Sequence, residues 1–282
     1  MIKQNIVFIT GNANKLKEVR EILGDEFAVI NINVDLQEIQ STDVKEVINE
    51  KIKEANNIFR KKDIMDKIKE EFKKLDIIIN DFNDITVVCE DTGFHIDSLN
   101  NSDKSEKDST KMFPGALIKF YFQALGSKGI IERDKDSKAR LSCYIGVISH
   151  GEIKEPVKAI VEGKVANTLT EGGFGFDPCF VPDLDQDPSN DEYRGKAYSN
   201  LPSHIKNKIS HRAVAFNNLK NMLLENKIKN TNNRIFNSKK RNSKKLSSKK
   251  KRKSMKGGLI NDLEYYEKYL KYKQKYIHLK NK

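Results

Sequence analysis

Four consecutive apolar residues, Ile6-Val7-Phe8-Ile9, predict a short strand buried on both faces. Turn chemistry follows at Thr10-Gly11-Asn12, after which Leu16, Val19, Ile22 and Leu23 recur at helical spacing and Gly24 supplies the stop. A second helix is expected where Asp43 offers an N-cap with Glu46 three residues on, because Val44, Val47, Ile48, Ile52, Ala55 and Phe59 form one stripe. Lys51 interrupts that stripe. It stands four after Val47 and three after Ile48, on the face that should be buried. Ile64, Ile68 and Phe72 recur every four residues through the charged stretch Arg60 to Lys74, predicting a surface helix. Thr86-Val87-Val88-Cys89 reads as a central strand that ends in Glu90-Asp91-Thr92-Gly93. Pro114-Gly115 is expected to open a helix carrying Leu117, Phe120, Tyr121 and Leu125. Two strands, Leu141 to Ile148 and Val157 to Val165, are joined by a hairpin at Ser149 to Glu152, and Ser203 to Leu224 reads as one helix. Strands alternate with helices through the first half, which predicts an α/β domain with a central sheet and ligands gathered at strand ends.

Charge divides the chain. The net charge is +12 over 282 residues, but residues 227–282 hold 20 lysines and arginines against three acidic residues, +17, which leaves 32 against 37, or −5, for 1–226. The organisation expected is a globular domain over 1–226, a basic linker over 227–258 and an amphipathic Tyr/Lys-rich helix over 259–282. The tail is read either as a contact for nucleic acid or a protein partner, or as a nuclear address, or as a solubilising linker. Cys89, Cys143 and Cys179 are odd in number and form no CxxC pair, which points away from a disulfide framework and a zinc site and toward a reducing compartment. No apolar stretch is long enough to span a bilayer, so a cytoplasmic protein without a membrane partner is expected.

The chemistry-bearing residues are ambiguous one at a time. Thr10-Gly11-Asn12-Ala13-Asn14-Lys15 after a strand is either an ordinary turn and cap or a phosphate-holding helix start with the Lys15 ammonium beside it. It is not a Walker A loop, since GxxxxGK[ST] is absent. Glu90-Asp91 is either a solvated strand end or a hard-cation site, with Glu38 as a further oxygen donor. Lys51 is either a snorkelling side chain or a phosphate contact. Phe174 and Phe176, in Gly172 to Pro178, are either core or stacking residues.

Taken together the motifs resemble, in order, those of the inosine triphosphate pyrophosphatase family. The resemblance runs from about Ile6 to Leu224 through TGNANK, DLQEIQ (Asp35 to Gln40), CEDTGF (Cys89 to Phe94), FPGALIKFY (Phe113 to Tyr121), GFGFDPCFVP (Gly173 to Pro182) and KNKISHRAVAF (Lys206 to Phe216). It implies an elongated central mixed sheet flanked by helices, in two lobes with the active-site cleft between them. It also implies Mg²⁺-dependent hydrolysis of ITP, dITP and XTP to monophosphate and pyrophosphate, with Mn²⁺ as an alternative ion, in a homodimer. On this resemblance Thr10 to Lys15, Lys51 and Lys119 contact the triphosphate, with Asp91 and Thr92 beside them. Glu38, Glu90 and Asp91 are the metal carboxylates, and Asp91 and Lys15 the catalytic pair. Phe174, Gly175, Phe176 and Asp177 hold the purine, while Lys206, Ser210, His211 and Arg212 read its 6-oxo edge. The stretches near 60–84, 100–111 and 183–196 are longer than the family needs and are read as inserted surface loops or helices. Asn200 stands where the family often has a Glu. The alternative function is a catalytically weak nucleotide-binding protein whose basic tail engages nucleic acid or a partner.

Overall fold

The computed structural model describes residues 3–100, 112–184 and 188–226; the expected linker over 227–258, the expected helix over 259–282 and nearly all of the 100–111 stretch lie outside the described residues. In chain order the main elements are β1 (Gln4–Ile9), α1 (Ala13–Leu23), β2 (Phe27–Ile32), α2 (Val44–Ile58), α3 (Lys62–Lys73) and β3 (Thr86–Ile96). They continue with β4 (Pro114–Gly115), α4 (Ile118–Asp134), β5 (Lys138–Ser149), β6 (Glu152–Val165), β7 (Phe180–Pro182) and α5 (Ser203–Ile209), and a last helix, α6, covers 211–226. Seven strands make one sheet in the order β2-β1-β3-β5-β6-β7, with β4 paired to β3 off that path. β1 is parallel to β2 and β3, whereas β5 is antiparallel to β3 and β6. The sheet is therefore mixed, and helices flank it.

Side chains alternate across a strand, so β1 serves two cores. Ile6 and Phe8 point to one face, where Val19 and Leu23 of α1 and Phe216, Leu219 and Leu223 of α6 cover them. Val7 and Ile9 point to the other, under Ile48, Ile52 and Ala55 of α2. A third core gathers Phe94 and Ile96 of β3, Leu141 of β5, Ile130 of α4, Phe180 and Tyr198. The long strands β3, β5 and β6 thus tie a lobe built on the parallel strands to a lobe built around the third core. Ligand space opens where the two meet.

Several local expectations are revised. β3 does not end at Glu90-Asp91 but stays paired with β5 from Thr86 to Ile96. Its parallel neighbour β1 does stop, opposite Cys89, so the two carboxylates lie where β3 loses one partner. The apolar stripe of α3 is buried in the first core, with Ile68 and Phe72 fully covered, so this stretch completes a core and is more than a surface insertion. Pro114-Gly115 opens no helix. It pairs with β3, and the Ala116 amide donates to the Thr42 carbonyl, so α4 begins only at Ile118 and leaves Phe120 57% exposed. Gly126, at φ 62°, also breaks the regularity of α4. The expected helix from Ser203 to Leu224 is two helices, because Ser210 is extended (ψ 154°) and its Oγ accepts from the Ala213 amide to cap α6. Apolar spacing carries across such a break unchanged, which hides it. The β5–β6 hairpin is longer than expected and turns on His150 and Gly151, both at positive φ (52° and 73°), the signs of a type I′ turn.

Candidate active site

A cleft of about 840 Å³ lies between the lobes, within the size range of ligand sites. One wall is the loop between β1 and α1 with the first turn of α1, from which Thr10, Gly11, Asn12 and Lys15 face the cleft. The Asn12 side chain caps α1 by accepting from the Asn14 and Lys15 amides, and Thr10 Oγ1 accepts from the Asn12 amide. Capping thus fixes the loop and aims Lys15. Ala13 and Asn14, expected at the substrate, sit in the first helical turn and do not line the cleft.

Opposite this loop, α2 delivers Lys51 from its buried face. The ammonium lies 2.7 Å from Glu38 Oε1 and 3.8 Å from Asp91 Oδ2. Burial opposes its charge, but Asp91 and Glu38 outweigh burial and hold its pKa above the ordinary lysine range. For Asp91 the balance is reversed. Burial raises its carboxyl above the usual aspartate value despite Lys51 and Lys15, while the Thr92 amide donates to Oδ1 at 2.9 Å. Glu38 is also penalised by burial, yet Lys51 brings it below its ordinary value. Lys119 of α4 lines the same end of the cleft, and Thr92 lines it with its buried Oγ1 unpaired among the described residues.

The donor set fits a hard divalent ion. Glu38 and Asp91 already converge on one cation, the Lys51 ammonium, and Mg²⁺ commonly takes one or two carboxylates and fills its shell with water and phosphate oxygens. Among the described residues no group of three His, Cys, Asp or Glu side chains is arranged to hold a metal. An ion here would depend on oxygens shared with a phosphate.

Glu90, expected as a third metal carboxylate, is differently engaged. Adjacent strand residues point to opposite faces, so Glu90 turns from Asp91 toward α1 and α6. Its Oε1 is 2.7 Å from Lys15 Nζ and accepts from Arg212 Nη2 at 3.0 Å, while Oε2 accepts from Arg212 Nε at 3.0 Å. Burial disfavours the anion, but Arg212 and Lys15 hold its pKa well below the carboxylate range.

At the far end, Phe174, Gly175, Phe176, Asp177, His211 and Arg212 line the cleft. Gly173 (φ 71°) and Gly175 (φ 60°) give this loop backbone shapes that side chains with a Cβ rarely adopt. Asp177 Oδ2 accepts from the Phe174 amide at 2.9 Å and from Lys206 Nζ at 2.7 Å, tying down the loop. Lys206 Nζ also lies 4.5 Å from the Phe174 ring centroid. Lys206 and Ser210, expected at the purine, stand behind the lining, Lys206 as a tether and Ser210 as the cap of α6. His211 is 2% exposed, packed against Phe176 and Tyr198, and both its ring nitrogens are unpaired among the described residues. Burial, with Arg212 adding to it, holds its pKa well below the histidine range, so the ring is neutral.

Glu18 carried no motif signal, yet it accepts from Lys206 Nζ at 2.9 Å and Arg212 Nη1 at 2.6 Å. Its position three after Lys15, on the same helix face, was the available clue. Asn33, Asp35, Phe122 and Gln123 also line the cleft without having been expected there. The three cysteines are buried and unbridged; burial raises Cys89 to about 12 and Cys179 to about 11, which makes them poor nucleophiles.

The chain is similar to several known proteins. A relative from Emericella nidulans named inosine triphosphate pyrophosphatase is 31% identical over 229 residues, covering 79% of this chain and 98% of that one. A relative from Ignicoccus hospitalis named dITP/XTP pyrophosphatase is 28% identical, covering 77% and 95%. The solved Staphylococcus aureus Ham1 protein aligns with TM-score 0.48 and 24% identity over 79% of this chain and 99% of its own. The profile of the Ham1 family matches residues 6–222, from β1 through α6 and across every wall of the cleft, and the chain belongs to that family.

Proposed function

We propose that this protein hydrolyses the deaminated purine nucleoside triphosphates ITP, dITP and XTP to the monophosphate and pyrophosphate, using Mg²⁺. One observation carries the reading: a single cleft has Lys15, Lys51 and Lys119 with Glu38 and Asp91 at one end, and an aromatic loop with His211 and Arg212 at the other. The names of the relatives from Emericella nidulans and Ignicoccus hospitalis support the substrate class.

The three lysines bind phosphate oxygens and lower the repulsion that a polyanion presents to an attacking water. Asp91 holds Oδ1 on the Thr92 amide and offers Oδ2 as proton acceptor. Burial raises its pKa, which makes it a stronger base than an exposed aspartate. The water oxygen bonds to the α-phosphorus as the bond from that phosphorus to the bridging oxygen breaks, and pyrophosphate leaves. Mg²⁺, held by Glu38 and Asp91 with phosphate oxygens, would supply charge neutralisation for the leaving pyrophosphate. At the purine end, a neutral His211 donates from one ring nitrogen and accepts at the other, so it suits either a 6-oxo or a 6-amino group. Arg212 only donates. It is therefore Arg212 that accepts hypoxanthine or xanthine and meets the adenine amino group donor to donor.

The same reading includes a homodimer, a cytoplasmic site of action and a tail whose +17 charge suits a polyanion such as nucleic acid. Product analysis of ITP incubated with Mg²⁺ tests the core of it: IMP and pyrophosphate should form in equal amounts. Asp91→Asn should slow turnover by at least about 100-fold. Release of inosine diphosphate and phosphate, or full activity in that variant, would overturn the reading.

A further inference from the structure

A continuous chain of ion pairs joins the two ends of the cleft. Lys15 Nζ meets Glu90 Oε1 at 2.7 Å. Glu90 takes Arg212 through both oxygens at 3.0 Å, and Arg212 Nη1 donates to Glu18 Oε2 at 2.6 Å. Glu18 Oε1 accepts from Lys206 Nζ at 2.9 Å, Lys206 donates to Asp177 Oδ2 at 2.7 Å, and that oxygen accepts the Phe174 amide. The chain begins in the phosphate loop and ends in the aromatic loop. Its middle member, Glu90, has a side chain only 1% exposed.

We propose that Glu90 is a positioning residue that couples the triphosphate end of the cleft to the purine end, in place of the metal-ligand role its sequence position implies. The proposal rests on the cleft being the nucleoside triphosphate site argued above. Metal ligation would need an available oxygen, yet Oε1 already serves Lys15 and Arg212 and Oε2 serves Arg212 and the Cys143 thiol at 3.3 Å. Lys15 is the shared element. A bound phosphate competes with Glu90 for its ammonium, and as Lys15 moves toward phosphate the Glu90 charge is left to Arg212 alone. In a buried, weakly screened setting that shift is felt strongly by the remaining pair. The guanidinium fork is then held more firmly, and Glu18, Lys206 and Asp177 pass the constraint to the Phe174 loop. Phosphate binding thereby sets the geometry that reads the base.

Glu90→Gln keeps the shape and removes the charge. Two readouts are taken on the full chain: calorimetric titration with inorganic pyrophosphate in the absence of metal, and kcat/KM for ITP and for ATP. The coupling predicts opposite signs. Pyrophosphate affinity rises about threefold or more, because a neighbouring anion no longer competes for Lys15, while the ITP-over-ATP preference narrows about tenfold as Arg212 loses its fixed partner. A general packing defect or a lost metal ligand would give no gain in metal-free affinity. Unchanged values in both readouts, or weaker pyrophosphate binding, overturn the proposal. If Glu90→Gln fails to fold by circular dichroism, Glu18→Gln, which cuts the next link and leaves Glu90 in place, carries the test: a narrowed preference supports the coupling and a wild-type preference overturns it. Wild-type protein that releases no pyrophosphate from ITP overturns the function itself, and the metal-free titration then still decides the role of Glu90.

Discussion

Lys51 occupies the buried face of α2 with its ammonium 2.7 Å from Glu38 and 3.8 Å from Asp91. A lysine kept there only by snorkelling would be replaced by methionine at little cost, since the stem packs alike and the charge reaches solvent. A lysine kept for phosphate would not. Lys51→Met should leave the melting temperature within a few degrees of wild type yet raise KM for ITP about tenfold or more; unchanged steady-state kinetics would return Lys51 to the snorkelling role. The sequence exposed this residue because a charge on an apolar stripe is a local anomaly. For Glu18 it offered only the spacing of three from Lys15, because the partners that define its role, Lys206 and Arg212, lie nearly two hundred residues away. Nor could it separate Glu90 from Asp91, since the difference between them is which face of β3 each one takes and what stands on that face.

At the scale of elements, local signals were legible where one segment contains both partners of an interaction. Asp43 accepts from the Lys45 and Glu46 amides as an N-cap should. Glu46 closes the cap indirectly: the Asp43 amide donates to Ser41 Oγ, which donates to Glu46 Oε2. Removing the cap by Asp43→Ala should cost about 1 kcal/mol and lower the melting temperature by about 2–4 °C, measured by calorimetry. Because α2 carries Lys51, a small rise in KM should accompany it. Boundaries set by distant contacts were not legible. β3 runs on to Ile96 because β5 pairs with it throughout, and α4 starts late because Thr42 holds the backbone at Ala116.

For the whole molecule, the charge count separates a mildly acidic domain from a basic tail, and the structure of the domain shows where its acidity is used. Glu18, Glu90 and Asp177 neutralise Lys15, Lys206 and Arg212 at the base of the cleft. Among the described residues no helix is long and apolar enough to cross a membrane. The α/β class was legible from the alternation of strands and helices, and the two lobes with a cleft between them from the family resemblance; the run of β3 past Glu90 and Asp91 was not, because it depends on pairing with β5. Folding buries His211 in neutral form with its pKa below the free value of 6.5. The unfolded chain therefore takes up a proton that the folded chain refuses, so this contribution to stability is full above about pH 6.5 and is lost as pH falls toward the folded value. As pH falls from 8 to 5 the melting temperature of wild type should drop more steeply than that of His211→Leu, which has no such group to protonate, and parallel curves would contradict the buried neutral ring. The most direct measurement for the central claim is kcat/KM for ITP, XTP and ATP under identical Mg²⁺ with the products identified. The account predicts IMP or XMP plus pyrophosphate, with ATP slower by about 100-fold or more; equal turnover of ITP and ATP would contradict it.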